Sequence, residues 1–407
     1  MRIAYFLTHP IQYQSPLIRR LIAEGIDLHV YYATDDTSRP YFDPGYDRKI
    51  SWDVPLLDGY PYTIFNREMV QGGRIRQVAR FKEQIRQADQ ERPADVFWLH
   101  GWNNPFVVAA WKVALERGCP IILRGETSLH SIKTGIIGRL LHRWYYQRAF
   151  KKVAVFLAMG TLNKELYLRY GVDERKIFLM PHAVDNDFFQ SRVAEARPRS
   201  EKLRADLGVP AEATIILFCG RLAAEKDVGT LISAVSQLNQ SSNERVVLLV
   251  VGDGPLKSKL SQLAERIAPG MVLFLGFRNQ TELPAYYDLC DIFVLPSTFE
   301  TWGLVVNEAM NAAKPVIVSD RVGAGIDLVK TGVNGDIFHV RDVRGLAAKI
   351  RYWMSNQARR DLGGRASLDI IKKWSLDENA LIFQQALTQL IGRNPFGYSK
   401  TESPHEI

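Results

Sequence analysis

Two carboxylates, Glu300 and Glu308, flank a short stretch of the segment LPSTFETWGLVVNEAMNAAKPVIVSD. A carboxylate accepts hydrogen bonds at two oxygens and can hold paired hydroxyls. Gly303 opens an apolar pattern at helical spacing, with Leu304, Val305, Ala309, Met310 and Ala313 on one face. Thr301, Trp302, Gly303 and Leu304 therefore stand at a helix start. There the first backbone N–H groups have no intrahelical partner, and the helix dipole favours an anion. A lone pair of glutamates is ordinarily solvated or capping. With an anion nest between them, the pair suits a ligand that joins a sugar, a diphosphate and a ribose.

Cations follow another strand end. The apolar run 214–219 leads into Gly220-Arg221-Leu222 and then Lys226. A glycine there lets backbone approach a ligand closely. Arginine can grip phosphate oxygens bidentately, and lysine supplies a point charge. Two cations at this spacing are commonly surface residues, but their place at a strand's carboxyl end favours a ligand. Asp253 and Gly254 end the next strand, and Phe277 and Arg278 end the one after.

These residues need a scaffold that gathers strand ends. The chain has 407 residues, which predicts two or three domains of about 150 each. Short apolar runs alternate with helical patterns in both halves. Strands are predicted at 3–7, 29–32, 95–99, 120–123, 153–158 and 177–180, then at 214–219, 246–251, 271–275 and 291–295. Residues 35–65, rich in Asp, Pro, Gly and Tyr, form an excursion near the cleft. The polar stretch 190–201 reads as a linker. Such alternation predicts α/β domains with parallel doubly wound sheets, which bind ligands at the carboxyl ends of strands.

The segment around Glu300 resembles the donor-binding segment of retaining glycosyltransferases of family 4. Two glutamates flank Trp302-Gly303-Leu304, where Phe-Gly-Leu is usual, and Lys314-Pro315-Val316-Ile317 and Asp320 follow. The likeness is strong from about 153 to 342. It implies a GT-B fold: two Rossmann-like domains facing a central cleft. Residues 1–190 would be the acceptor domain and 200–370 the nucleotide-sugar donor domain, with a final helix at about 374–390 packing back on the first. By this resemblance Arg221 and Lys226 hold the donor's diphosphate, Glu300 the transferred sugar and Glu308 the ribose. Gly220, Asp253, Gly254, Phe277, Arg278, Thr301, Trp302, Gly303 and Leu304 would line the donor site. The reaction would retain anomeric configuration and need neither metal nor cofactor beyond the nucleotide-diphosphate sugar. The acceptor would be a saccharide or a lipid-linked one, as in cell-surface polysaccharide or glycolipid synthesis. Asp185-Asn186-Asp187 looks like a metal motif of another glycosyltransferase fold, but its surroundings, from Pro181 to Phe189, resemble an interdomain hinge.

The first half departs from the family. The loop after its first strand is Thr8-His9-Pro10-Ile11-Gln12-Tyr13-Gln14 rather than a Gly-Gly loop. Arg124-Gly125-Glu126-Thr127 stands where a histidine often follows the strand, and His100 ends the strand before. His9, His100 and Arg124 are the candidate site residues there. Residues 132–152 carry seven cationic or histidine side chains, Lys133, Arg139, His142, Arg143, Arg148, Lys151 and Lys152, among Trp144, Tyr145 and Tyr146. This stretch suits an anionic membrane surface, or alternatively a solvated helix with an aromatic core stripe. The net charge of +8 permits such a partner, and no nucleic-acid motif accompanies it. No apolar run approaches the ~20 residues of a membrane span, and the N-terminus does not read as a signal peptide. Three scattered cysteines, Cys119, Cys219 and Cys290, read as reduced thiols. The expected location is cytoplasmic, or peripheral on the inner face of the cell membrane. Two rival readings are a non-catalytic sugar-nucleotide-binding protein and another GT-B enzyme, such as a sugar-nucleotide epimerase.

Overall fold

The computed structural model describes residues 1–66, 73–128, 136–241 and 245–392. Among these described residues, nine strands lie in the first half: β1 (Arg2–Leu7), β2 (Asp27–Thr34), β3 (Tyr41–Asp43), β4 (Arg48–Ile50), β5 (Tyr62–Asn66), β6 (Val96–His100), β7 (Ile121–Arg124), β8 (Val155–Ala158) and β9 (Ile177–Leu179). Seven pair in parallel in the order β5-β2-β1-β6-β7-β8-β9, while β3 and β4 make a separate antiparallel hairpin. The second half contributes β10 (Thr214–Cys219), β11 (Val246–Val251), β12 (Val272–Gly276), β13 (Ile292–Leu295), β14 (Val316–Ser319) and β15 (Gly335–Phe338), in the order β12-β11-β10-β13-β14-β15. Helices connect the strands on both faces. A strand such as β11, VVLLVV, is consequently buried along its whole length, as parallel sheets covered on both sides require.

Each sheet reverses its strand order once, between β1 and β6 in the first and between β10 and β13 in the second. At such a point neighbouring crossovers diverge and leave a crevice beyond the carboxyl ends of the strands. Loops from both crevices line one cavity, as described below.

Three elements differ from expectation. The stretch 190–201 is helical, running from the helix Asn186–Ala196 through a 3-10 turn, Arg197–Arg199, into the helix Ser200–Asp206. Phe189 and Val193 bury one face of the first helix in the second domain's core. Within the excursion, β5 joins the first sheet at its edge, pairing with β2. The strand β15 adds an edge to the second sheet.

The final helix, Leu376–Gly392, lies on the first sheet, not the second. Phe383, Ala386 and Leu390 belong to the same buried cluster as Tyr5, Leu17 and Trp98. The Phe383 and Trp98 rings are 4.5 Å apart, and burying one such ring contributes ~1.5–3 kcal/mol. Arg20 and Asp377 close the contact with a 2.8 Å ion pair.

Candidate active site

A cavity of about 450 Å³ lies between the two halves. Its second-domain wall comes from strand-end loops and from the helix Leu304–Asn311. Gly220 and Lys226 follow β10, Phe277 and Arg278 follow β12, and Glu300, Gly303, Leu304 and Glu308 come from the turn and helix after β13. Gln12 and Tyr13, from the loop after β1, and Tyr46 and Trp52, from the excursion, supply the first-domain wall.

The loops after β10 and β11 are held together by backbone alone. A Cβ on Gly252 would fall 1.9 Å from the Gly220 carbonyl oxygen, and one on Gly254 would crowd the Leu222 backbone at 2.8 Å. Leu222 N donates to the Asp253 carbonyl at 2.8 Å. Only glycine tolerates this approach. The loop after β13 is tied in by Thr298 N, which donates to the Glu225 carbonyl at 2.7 Å. That tie brings Lys226 Nζ into direct contact with Glu300 Oε2, both largely shielded from solvent.

Gly303 has φ of 100° and caps the helix that carries Glu308. Glu308 is buried, and Tyr287 Oη donates to its Oε2 at 2.7 Å. Burial pushes the Glu308 carboxyl up to about 7, against the lowering effect of the Tyr287 hydrogen bond. Burial, reinforced by the charge of Glu308, also pushes the Cys219 thiol up to about 12.

Behind Tyr13, the first domain holds a charged network. Glu126 Oε1 accepts from Tyr13 Oη at 3.2 Å and lies 3.2 Å from His100 Nε2. The other His100 nitrogen is 3.0 Å from Tyr5 Oη. His182 Nε2 is 3.8 Å from the same carboxylate. Burial pushes Glu126 upward, but the His100 hydrogen bond and the charge of Arg124 act against it and hold the carboxyl well below its usual range. Burial lowers His182 to about 3. Arg124 is buried and gives one hydrogen bond, from Nη2 to the Pro181 carbonyl at 3.3 Å. Its Nε and Nη1 have no hydrogen-bond partner among the described residues.

Comparison with known proteins fits this architecture. Residues 16–188 match the model described as Glycosyltransferase Family 4, and residues 199–367 match Glycosyl transferases group 1. An alpha-monoglucosyldiacylglycerol synthase of Acholeplasma laidlawii is 34% identical over 337 residues, 78% of this chain and 78% of that protein. The chain belongs to glycosyltransferase family 4. An uncharacterized glycosyltransferase of Methanocaldococcus jannaschii is 28% identical over 70% of this chain and 73% of its own length. Among solved structures, Anabaena HepE in complex with UDP superposes with a TM-score of 0.71 at 20% identity, covering 95% of this chain and 100% of that one. The fold is GT-B and the protein is a glycosyltransferase.

Several residues singled out from the sequence do not line this glycosyltransferase's cavity. Arg221 lies in the gap between the halves, but its stem crosses Gly45 in the β3–β4 turn, where an added Cβ would meet Arg221 Nη1. Asp253 is paired with Lys257 at 3.2 Å and with Arg48 at 3.7 Å. Gly254 serves the loop contact just described. Thr301 presents its carbonyl to Gly323, whose Cβ would meet it at 2.1 Å. Trp302 is turned inward and buried. Its Nε1 donates to Asn307 Oδ1 at 3.0 Å, and its ring stacks on Trp374 at 5.0 Å. Its edge also fills the space where Gly160 has no Cβ. His100 and Arg124 belong to the Glu126 network, and His9 Nδ1 meets its neighbour Thr8 at 3.0 Å. Asp185, by contrast, does line the cavity, and it caps the helix Asn186–Ala196, accepting from Phe188 N at 3.0 Å.

Sequence reasoning missed Tyr13, Tyr46, Trp52, Glu126, His182 and Tyr287 as site residues. The Arg-Gly-Glu-Thr departure did point at the position of Glu126. The departing loop after β1 held Tyr13, and the hinge-like segment held His182; Tyr46, Trp52 and Tyr287 carry no local signal.

Proposed function

We propose that this glycosyltransferase moves a sugar from a nucleotide-diphosphate sugar to a saccharide or lipid-linked acceptor with retention of anomeric configuration. The observation that carries this reading is the single cavity that holds the Lys226–Glu300 pair and the buried Glu308 at the mouth of the second sheet's crevice. Lys226 supplies positive charge to the diphosphate, most strongly as negative charge grows on the leaving group. Glu300 accepts from hydroxyls of the transferred sugar, and Glu308 from the ribose. The UDP bound by HepE, a protein of the same fold, supports a nucleoside diphosphate as leaving group.

The donor's anomeric carbon–oxygen bond to the diphosphate breaks, and a new bond to the acceptor oxygen forms on the same face. The acceptor's proton passes to the departing phosphate oxygen. Charge and atoms then balance without a protein nucleophile, a metal or a further cofactor. The diacylglycerol-directed relative supports a lipid-linked acceptor, and with it a peripheral place on the inner face of the cell membrane. No helix among the described residues is long and apolar enough to cross a membrane.

The test is a panel of nucleotide-sugars screened by thermal shift, followed by product analysis with the stabilising donor. A stabilised protein that releases an inverted product overturns retention. A protein stabilised by no donor in the panel overturns the donor assignment.

A further inference from the structure

The first domain sends one segment across the cleft onto the second. Asn279 Nδ2 donates to the Ser51 carbonyl at 2.6 Å, and Thr281 N donates to Asp53 Oδ2 at 3.1 Å. Arg48 reaches Asp253 at 3.7 Å and sits 5.2 Å above the Phe277 ring. These polar ties are largely exposed, so each is individually weak.

Between the ties, Tyr46 and Trp52 meet Phe277 edge-to-face. The ring centroids are 5.2 Å apart at 81° for Tyr46 and 6.2 Å apart at 64° for Trp52. All three rings line the cavity that Lys226, Glu300 and Glu308 also line. Phosphate at Lys226 and ribose at Glu308 leave the base of a nucleotide to be placed. The aromatic group is the part of the wall that matches a flat heteroaromatic ring. Stacking on such side chains tolerates any base, because every base has a π-face.

We infer that Tyr46 and Trp52 of the first domain complete the nucleobase site with Phe277 of the second, so that the donor's base is held across the cleft. This rests on the donor reading above. It makes the excursion a part of the binding site that must lift for the nucleotide to enter and that closes on the base afterwards.

The experiment is calorimetric titration of UDP, GDP and ADP into the full-length wild type, Trp52→Ala and Phe277→Ala. Inorganic pyrophosphate competes in parallel. Trp52 stands in an excursion outside the main cores, and thermal melts without ligand check that its variant folds. The expected result is a roughly tenfold weaker Kd for the best nucleotide in each variant, in line with the loss of one stacking partner. Pyrophosphate affinity should stay within about twofold, since it carries no base. A folded Trp52→Ala protein that binds the nucleotide as tightly as wild type overturns the inference alone. So does an equal loss for nucleotide and pyrophosphate. A wild type that binds none of the three nucleotides overturns the donor reading itself, and this inference with it.

Discussion

Tyr287 donates its hydroxyl to Glu308 at 2.7 Å across 21 residues of sequence, and so fixes a carboxyl that burial has pushed up to about 7. The sign of the resulting pH dependence is determined. Between the ordinary glutamate value of ~4.3 and the folded value, the native state binds the proton more tightly than the unfolded state does. Stability therefore falls as pH rises through that window and is level above it. Ligand binding runs the other way, because an ionised Glu308 is the stronger acceptor for hydroxyls. Affinity for the nucleotide should rise from pH 6 to pH 8 in titrations, and Glu308→Gln should flatten the profile. Tyr287→Phe removes a hydrogen bond that favours the charged form, so its profile should move to higher pH.

The contact between Lys226 and Glu300 gives a second prediction. In this structure each neutralises the other, and the donor must separate or bridge them. Glu300→Ala frees Lys226 for phosphate while removing the acceptor for the sugar hydroxyls. Nucleoside diphosphate binding should persist or tighten, while transfer should fall by about 10²–10³, the loss typical of one preorganised electrostatic group. Lys226→Ala should weaken both. Initial rates with the stabilising donor, set beside calorimetric Kd values for the diphosphate, separate the two. If Glu300→Ala keeps full transfer, its contact with the sugar is wrong.

Trp302 illustrates what the sequence carried and what it hid. Its place after Glu300 reads as donor site, yet the ring is spent on packing between the domains, against Gly160, Trp374 and the Asn307 amide. Trp302→Ala should cost about 3–5 kcal/mol in urea unfolding, the range for deleting a buried aromatic ring. Trp302→Phe should cost about 1–3 kcal/mol, because the Asn307 carbonyl oxygen loses its indole donor. Losses of that size with an unchanged donor Kd would confirm the packing role.

The strand–helix alternation and the crevice-forming strand ends were legible because buried parallel strands are written as continuous apolar runs, such as β10 and β11. The place of Glu300, Glu308 and Lys226 in the cavity wall was legible because they lie beside strand ends with glycine signals. The edge strand β5 was not. Its side chains are only partly buried, and it sits among residues of turn composition. The helix Asn186–Ala196 was hidden because it buries little beyond Phe189 and Val193. Tyr46, Trp52 and Tyr287 became visible only in three dimensions, since each acts on a residue far along the chain. Arg221 was placed by its neighbours in sequence, but its approach to Gly45 in the β3–β4 turn is one that no local pattern reveals.

The basic, aromatic segment of the first domain yields the last prediction. Lys133, and the side chains of Arg139 and His142, lie outside the described residues. Among the described ones, Trp144 and Tyr145 are exposed at 55% and 61%. Arg148 covers the Trp144 ring at 4.0 Å. These side chains share a surface groove with Arg74, Lys112 and Lys152, and among the described residues no acidic side chain lines it. Amphipathic rings flanked by cations suit the headgroup layer of an anionic bilayer, to which each Lys or Arg adds ~1 kcal/mol. The full-length protein should float with vesicles containing anionic lipid and stay behind with neutral ones. The paired charge reversals Arg143→Glu and Lys151→Glu change the local charge by four and should weaken partition at least tenfold, with salt having the same direction of effect. Flotation that is indifferent to lipid charge, or unchanged in the double variant, would remove the membrane from this protein's partners and leave the groove as a solvated aromatic surface.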